Sequence, residues 1–144
     1  MKRRVFASAS VVIGICALAL GAAACGGASA TPANESSFLV GKKPGDVYTA
    51  YTAAIGNATT IQELSPYLSR ERKSNERDLE ALKAKVPAGV LKLTAENIQG
   101  DKATLTVEAT MTGAGGKEEP SVGTVVLVRE DGAWKVDQET WKAK

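Results

Sequence analysis

At Gly89 the apolar residues of this chain change period, and that change constrains the fold more than any other feature of the sequence. Before it, Val47, Ala50, Tyr51, Ala54 and Ile55 recur at helical spacing. They predict a helix over residues 46–55, with Asp46 as its cap and Gly56-Asn57 as its stop. Thr60-Ile61-Gln62-Glu63 reads as a capping box, in which the Thr hydroxyl and the Glu carboxylate satisfy backbone N–H groups reciprocally. It would open a short second helix that buries Leu64, Tyr67 and Leu68, with Pro66 early enough to be tolerated. Residues 70–85, "RERKSNERDLEALKAK", predict a third helix whose apolar anchors, Leu79, Leu82 and Val86, lie only at its end. Its charged first half reads as a solvated face, or else as a flap or partner-binding surface.

After Gly89 the period is 2. Leu91, Leu93 and Ala95 alternate with Lys92, Thr94 and Glu96, and Gly100-Asp101 makes a turn. Residues 103–112 then alternate without fault, Ala, Leu, Val, Ala and Met against Thr, Thr, Glu, Thr and Thr. That is a strand with one buried and one wetter face. Residues 122–129 are apolar on both faces at 125–128, as a central strand is. Asp131-Gly132 makes a tight hairpin turn into a last strand with Trp134 and Val136 inward and Lys135 and Asp137 outward. Helices followed by hairpin strands predict the α+β class.

The N-terminus says where such a domain resides. Lys2, Arg3 and Arg4, a mostly apolar stretch to Leu20 and the small residues Gly21 to Ala24 have the layout of a secretory signal peptide. Ala22-Ala23-Ala24-Cys25 resembles the lipobox of bacterial lipoproteins, with Ala22 where that family usually has Leu. The resemblance implies cleavage between Ala24 and Cys25 and a diacylglyceryl group on the Cys25 sulfur. It also implies an extracytoplasmic protein held to the membrane by lipid, in the outer membrane of a Gram-negative cell or the cell membrane of a Gram-positive one. Two other readings stand beside it: a plain A-x-A cut after Ala28-Ser29-Ala30, and an uncleaved span of residues 5–24. The expected organisation is a signal peptide over 1–24, a lipidated N-terminus and flexible tether over 25–43, and one domain over 44–144. Phe38, Leu39 and Val40 interrupt the polar tether and would dock on the domain as a short arm.

The chain has two cysteines, Cys16 and Cys25, and no His. Cys16 leaves with the signal and Cys25 is modified or lost, so no disulfide framework and no metal-ligand set is expected. Three of the 18 basic residues precede Cys25 and no acidic one does, which leaves 15 basic against 16 acidic groups. A net charge of −1 is no footprint for nucleic acid.

The helix-rich first half, the hairpin strands and the closing "LVREDGAWKVD" are similar to the nuclear transport factor 2-like superfamily, and within it to small bacterial lipoproteins. The resemblance implies N-terminal helices packed on a curved antiparallel sheet around a conical pocket. Tyr51, Tyr67, Leu105, Val107, Met111 and Trp134 would line that pocket. The alternative for the tyrosines and Trp134 is core packing between helices and sheet.

Members of that superfamily that resemble steroid isomerases use Asp and Tyr side chains in the pocket, sometimes with His. Here Asp101 and Asp131 belong to turns, Asp46 to a cap, Asp78 to the charged helix and Asp137 to an outward position. Glu118-Glu119 reads as a solvated pair, and the glycines at 113, 115 and 116 lack the setting of a phosphate loop. The sequence therefore points to a non-catalytic domain, without a cofactor, that binds an apolar small molecule or an envelope protein. A pocket enzyme of isomerase or hydratase type is one alternative. A structural protein is the other, a homodimer formed through the flat polar face of Thr104, Thr106, Glu108, Thr110 and Thr112.

Overall fold

Residues 103–112 alternate because they run through the interior of an antiparallel sheet. The computed structural model describes residues 37–113 and 116–144. In it β1 (Ala88–Gln99), β2 (Lys102–Thr112), β3 (Glu118–Glu130) and β4 (Ala133–Ala143) follow one another in the order β1-β2-β3-β4. Each pairs antiparallel with the next. The β2–β3 ladder is unbroken from Lys102↔Val128 to Thr112↔Glu118. Ala103, Leu105, Val107 and Ala109 of β2 are buried, as are Val125 and Leu127 of β3. The turn into β4 places Asp131 at φ 51° and Gly132 at φ 81°. This is the left-handed pair that a two-residue hairpin requires and that Asp-Gly supplies at least steric cost.

Against this face lies α1 (Pro44–Asn57), which contributes Val47, Tyr48, Tyr51 and Ile55 to the core. The helix begins at Pro44, with Lys43 at its N-cap, and Asp46 sits in its first turn rather than capping it. Glu96 of β1 does part of that work, accepting from the Gly45 N–H at 3.3 Å. The arm docks as its composition suggests: Leu39 is buried, Val40 bridges to Ala133, and the Phe38 ring meets Tyr67 edge-on.

The expected nuclear transport factor 2-like architecture, an α+β fold with N-terminal helices packed on a curved sheet, is corrected by these elements. Four strands of 11–13 residues dominate, and among the described residues no helical element besides the 14-residue α1 exceeds seven residues. The capping box forms, with Glu63 Oε1 accepting from the Thr60 N–H at 3.2 Å. It opens a 3-10 segment, Ile61–Tyr67, not an α-helix. Pro66 inside that segment has no N–H to donate to an α-helical ladder. The single helix expected over 70–85 is two pieces, α2 (Arg70–Asn75) and α3 (Leu79–Lys83). Glu76 turns extended (φ −86°, ψ 115°), and Asp78 caps the restart through Oδ1 to the Ala81 N–H. The conical pocket is filled, with Tyr51, Leu105 and Val107 wholly buried in the core.

β1 is an edge strand and mostly exposed, Val90 at 90 %. Its pairing with β2 slips twice, between Ala88 and Lys92 and between Leu93 and Ala95. β4 forms the other edge, and a shift between Val126 and Leu127 in its pairing with β3 leaves Asp137 as an extra residue. Among the described residues no helix is long and apolar enough to cross a membrane.

Candidate functional site

The bulge at Asp137 creates the polar centre of the domain. Val136 faces the core opposite Leu127. Strict alternation from there would turn Gln138 and Thr140 inward. The extra residue reverses the order: Gln138 and Thr140 are exposed, whereas Glu139, opposite Val125, and Trp141, opposite Gly123, turn toward the helices. A carboxylate thereby enters a largely apolar face.

Glu139 is met by three donors. The Tyr48 hydroxyl donates to Oε1 at 2.7 Å, and the Tyr51 hydroxyl reaches Oε2 at a longer 3.4 Å. Arg72 Nη2 donates to Oε2 at 2.6 Å. The Arg72 side chain is 10 % exposed and that of Glu139 13 %, so this is a largely desolvated pair. Arg72 also lies over the Tyr51 ring, 5.4 Å from its centroid, and its Nε is 3.7 Å from Glu76 Oε2.

Ser69 places Arg72 there. Its N–H donates to the Val136 carbonyl at 3.0 Å, and its hydroxyl donates to Asp137 Oδ1 at 2.6 Å. The same hydroxyl accepts from the Arg72 N–H at 3.0 Å and so caps α2. One buried serine thus ties the start of α2 to the bulge, and the guanidinium three residues on falls over Glu139.

The electrostatics follow from burial and pairing. Burial pushes the Tyr48 phenol far above its usual range, with the Glu139 charge adding to the effect; Tyr51 shifts the same way for the same causes. Burial pulls Arg72 down, but Glu139 and then Tyr51 outweigh it, and its pKa stays above the ordinary guanidinium value. The hydroxyls remain protonated and the guanidinium charged, which suits a carboxylate held by donors.

Around this centre the surface opens. A cleft of about 480 Å³ is lined by Arg72, Lys85, Met111, Glu139, Thr140 and Trp141, among others. A second, of about 410 Å³, shares Arg72, Lys85 and Glu139 and is more acidic, with Glu71, Glu76 and Asp137 on its walls.

Of the six residues expected to line a pocket, Met111 alone borders one of these two clefts. Tyr51, Leu105 and Val107 are core, and Trp134 is 7 % exposed with Arg129 over its ring. Tyr67 is half-buried between the Phe38 and Tyr51 rings. Asp137, expected outward, is half-buried and bound by Ser69. Arg72, from the run read as solvated, is buried; its charge alone concealed this, and the apolar neighbours that bury it are distant in sequence. Glu139 and Trp141 were missed because period 2 assigns them to the wrong face. Ala24 and Cys25 lie outside the described residues.

No family model matches the chain, and no curated protein matches it. Among solved structures it is similar to a SEC-C motif containing protein from Rhodopseudomonas palustris. That match is 16 % identical, covers 65 % of this chain and 70 % of the other, and has a TM-score of 0.47. It is also similar to a protein of unknown function from Bacteroides thetaiotaomicron, at 18 % identity, 66 % and 83 % coverage and a TM-score of 0.38. Similarity this low carries no argument about function.

Proposed function

We propose that this chain is a lipid-anchored extracytoplasmic protein whose domain binds a ligand without transforming it. The anchor rests on Ala22-Ala23-Ala24-Cys25 after a signal-like run. The observation that carries the binding reading is the state of the buried polar centre. Glu139, Tyr48, Tyr51 and Arg72 are engaged with one another. The shifts at Tyr48, Tyr51 and Arg72 run away from neutrality, opposite to what a general acid or base working near pH 7 needs. A centre of this kind supports a wall rather than moving protons.

The protein purified from membranes in mild detergent tests both halves. Intact mass should show residues 1–24 missing and a diacylglyceryl group on Cys25, and Cys25→Ser should remove it. An unmodified N-terminus at Thr31 would overturn the anchor. A small molecule that co-purifies should be recovered chemically unchanged after incubation with fresh protein, and its conversion would overturn the non-catalytic reading.

A further inference from the structure

The inner face of the sheet continues beyond the helices that cover it. There Met111 near the end of β2, Trp141 near the end of β4, Arg72 and Lys85 line one cleft. Two N–H groups of these residues, Arg72 Nη1 and Trp141 Nε1, are buried and have no hydrogen-bond partner among the described residues. Both belong to residues lining the 480 Å³ cleft. The indole is held firmly: a Cβ on Gly123 would come within 2.8 Å of its ring, so the ring lies against bare backbone. Proteins leave few buried donors unsatisfied, because each forfeits its hydration without return.

We propose that this cleft binds a small organic acid, a monocarboxylate with an apolar body. Its oxygens would take the Arg72 Nη1 and Trp141 Nε1 hydrogens, and its apolar part would lie on Met111 and the Trp141 ring. The proposal deepens the binding function above and rests on it. The charge balance selects the ligand. Arg72 is already paired with Glu139 at 2.6 Å and lies 3.7 Å from Glu76, so Lys85 is the cation among the residues lining this cleft that can match one negative charge. A dianion such as phosphate would exceed what Lys85 matches among the residues lining this cleft, and Glu71, Glu76 and Asp137 of the adjoining cleft would oppose it more than they oppose a monoanion. Both donors lie beneath the cleft surface, so the carboxylate must displace part of the wall. Lys85 is exposed on the rim, and Met111 has the side-chain freedom to give way.

Titration calorimetry of the full-length mature protein in detergent tests this, with sodium phenylacetate as the probe and phenylacetamide and inorganic phosphate as comparisons. Phenylacetate should bind saturably with one site, phenylacetamide about tenfold more weakly, and phosphate should not compete. Trp141→Phe keeps the ring and removes the donor, and should weaken phenylacetate about tenfold while the far-UV spectrum stays unchanged. Arg72→Lys should weaken it too, but Trp141→Phe decides the matter if the Arg72 variant does not fold. Absence of saturable binding up to about 10 mM, well beyond a millimolar Kd, or equal binding by Trp141→Phe, would overturn the proposal. If a different ligand then co-purified unchanged, the binding function would stand without it. Phenylacetate bound but recovered altered would keep the site and overturn the non-catalytic reading instead.

Discussion

Arg72 and Glu139, 67 positions apart, meet through Nη2 and Oε2 at 2.6 Å, and both side chains are nearly withdrawn from water. The Tyr48 and Tyr51 hydroxyls and the Glu76 carboxylate gather around that pair. Removing one member of such a pair strands the other in a low dielectric, which costs more than the pair contributes.

Glu139→Gln should therefore lower unfolding stability by about 3 kcal/mol, within the range for a broken buried pair. Gln keeps an oxygen for the Tyr48 hydroxyl, so most of the loss arises at Arg72. The double variant Arg72→Met with Glu139→Gln should be more stable than Glu139→Gln alone, because the buried guanidinium is then gone and its second partner, Glu76, is the more exposed of the two. Urea titration of the three proteins checks this, and a double variant that is the least stable would contradict it.

Ser69→Ala should cost roughly 2 kcal/mol, combining the loss of an N-cap with that of a hydrogen bond to a carboxylate. Because Ser69 sets the position of α2, the variant should also loosen Arg72. Hydrogen exchange should then quicken at Arg72 and Lys73, whose N–H groups bond back to Ser69. Unchanged exchange there would separate the cap from the placement of Arg72.

Stability should rise with pH between about 8 and 10 and fall above 10. Burial, and then the neighbouring Lys73 charge, lower Lys135 to about 8 against an ordinary 10.5, although its Nζ donates to the Pro66 carbonyl. Between those values the unfolded chain holds more protons at this group than the folded one, so raising the pH favours folding. Tyr48 and Tyr51 act oppositely. Above their ordinary 10.0 the unfolded phenols ionise while the buried ones do not, so stability is lost as pH climbs further. Denaturant midpoints from pH 7 to 11 test both signs. Lys135→Met should flatten the rise, and Tyr48→Phe should reduce the alkaline fall.

Gly123→Ala should displace the Trp141 ring, since its new Cβ would lie 2.8 Å from ring carbons. Overpacking of this kind costs about 1–3 kcal/mol. The near-UV circular dichroism of the indole should change while the strand signal persists. An unaltered aromatic spectrum would mean the ring has room that the structure denies it.

The β2 strand and the turn from β3 into β4 were legible along the chain, whereas Leu93 of β1, expected inward, is exposed on an edge strand. The inward series Ala103, Leu105, Val107 and Ala109 could be read from alternation alone, because one buried face imposes period 2 on any strand. Asp131-Gly132 announced its hairpin for an equally local reason, the positive φ that both positions adopt. The Thr60–Glu63 box formed, since its bonds span three residues. What followed the box was not legible: a short α-helix and then one charged helix over 70–85 were expected, where a 3-10 segment and two separate helical pieces form beneath a filled sheet. Whether facing side chains fill a space depends on volumes contributed by distant elements.

The polar centre belongs wholly to that second kind of information. A bulge arises where β3 and β4 cannot keep register while Ser69 holds Val136 and Asp137 from the side, and no residue of β4 announces it. That one extra residue reverses the faces of Glu139 and Trp141. The break at Glu76 likewise frees α2 to dock on β4 instead of continuing outward. Sequence determined the strands, the turn and the cap because their periods and dihedrals are local. Tertiary structure decided where a carboxylate would be buried and which arginine would meet it, because burial and pairing are set by contacts between positions 67 residues apart.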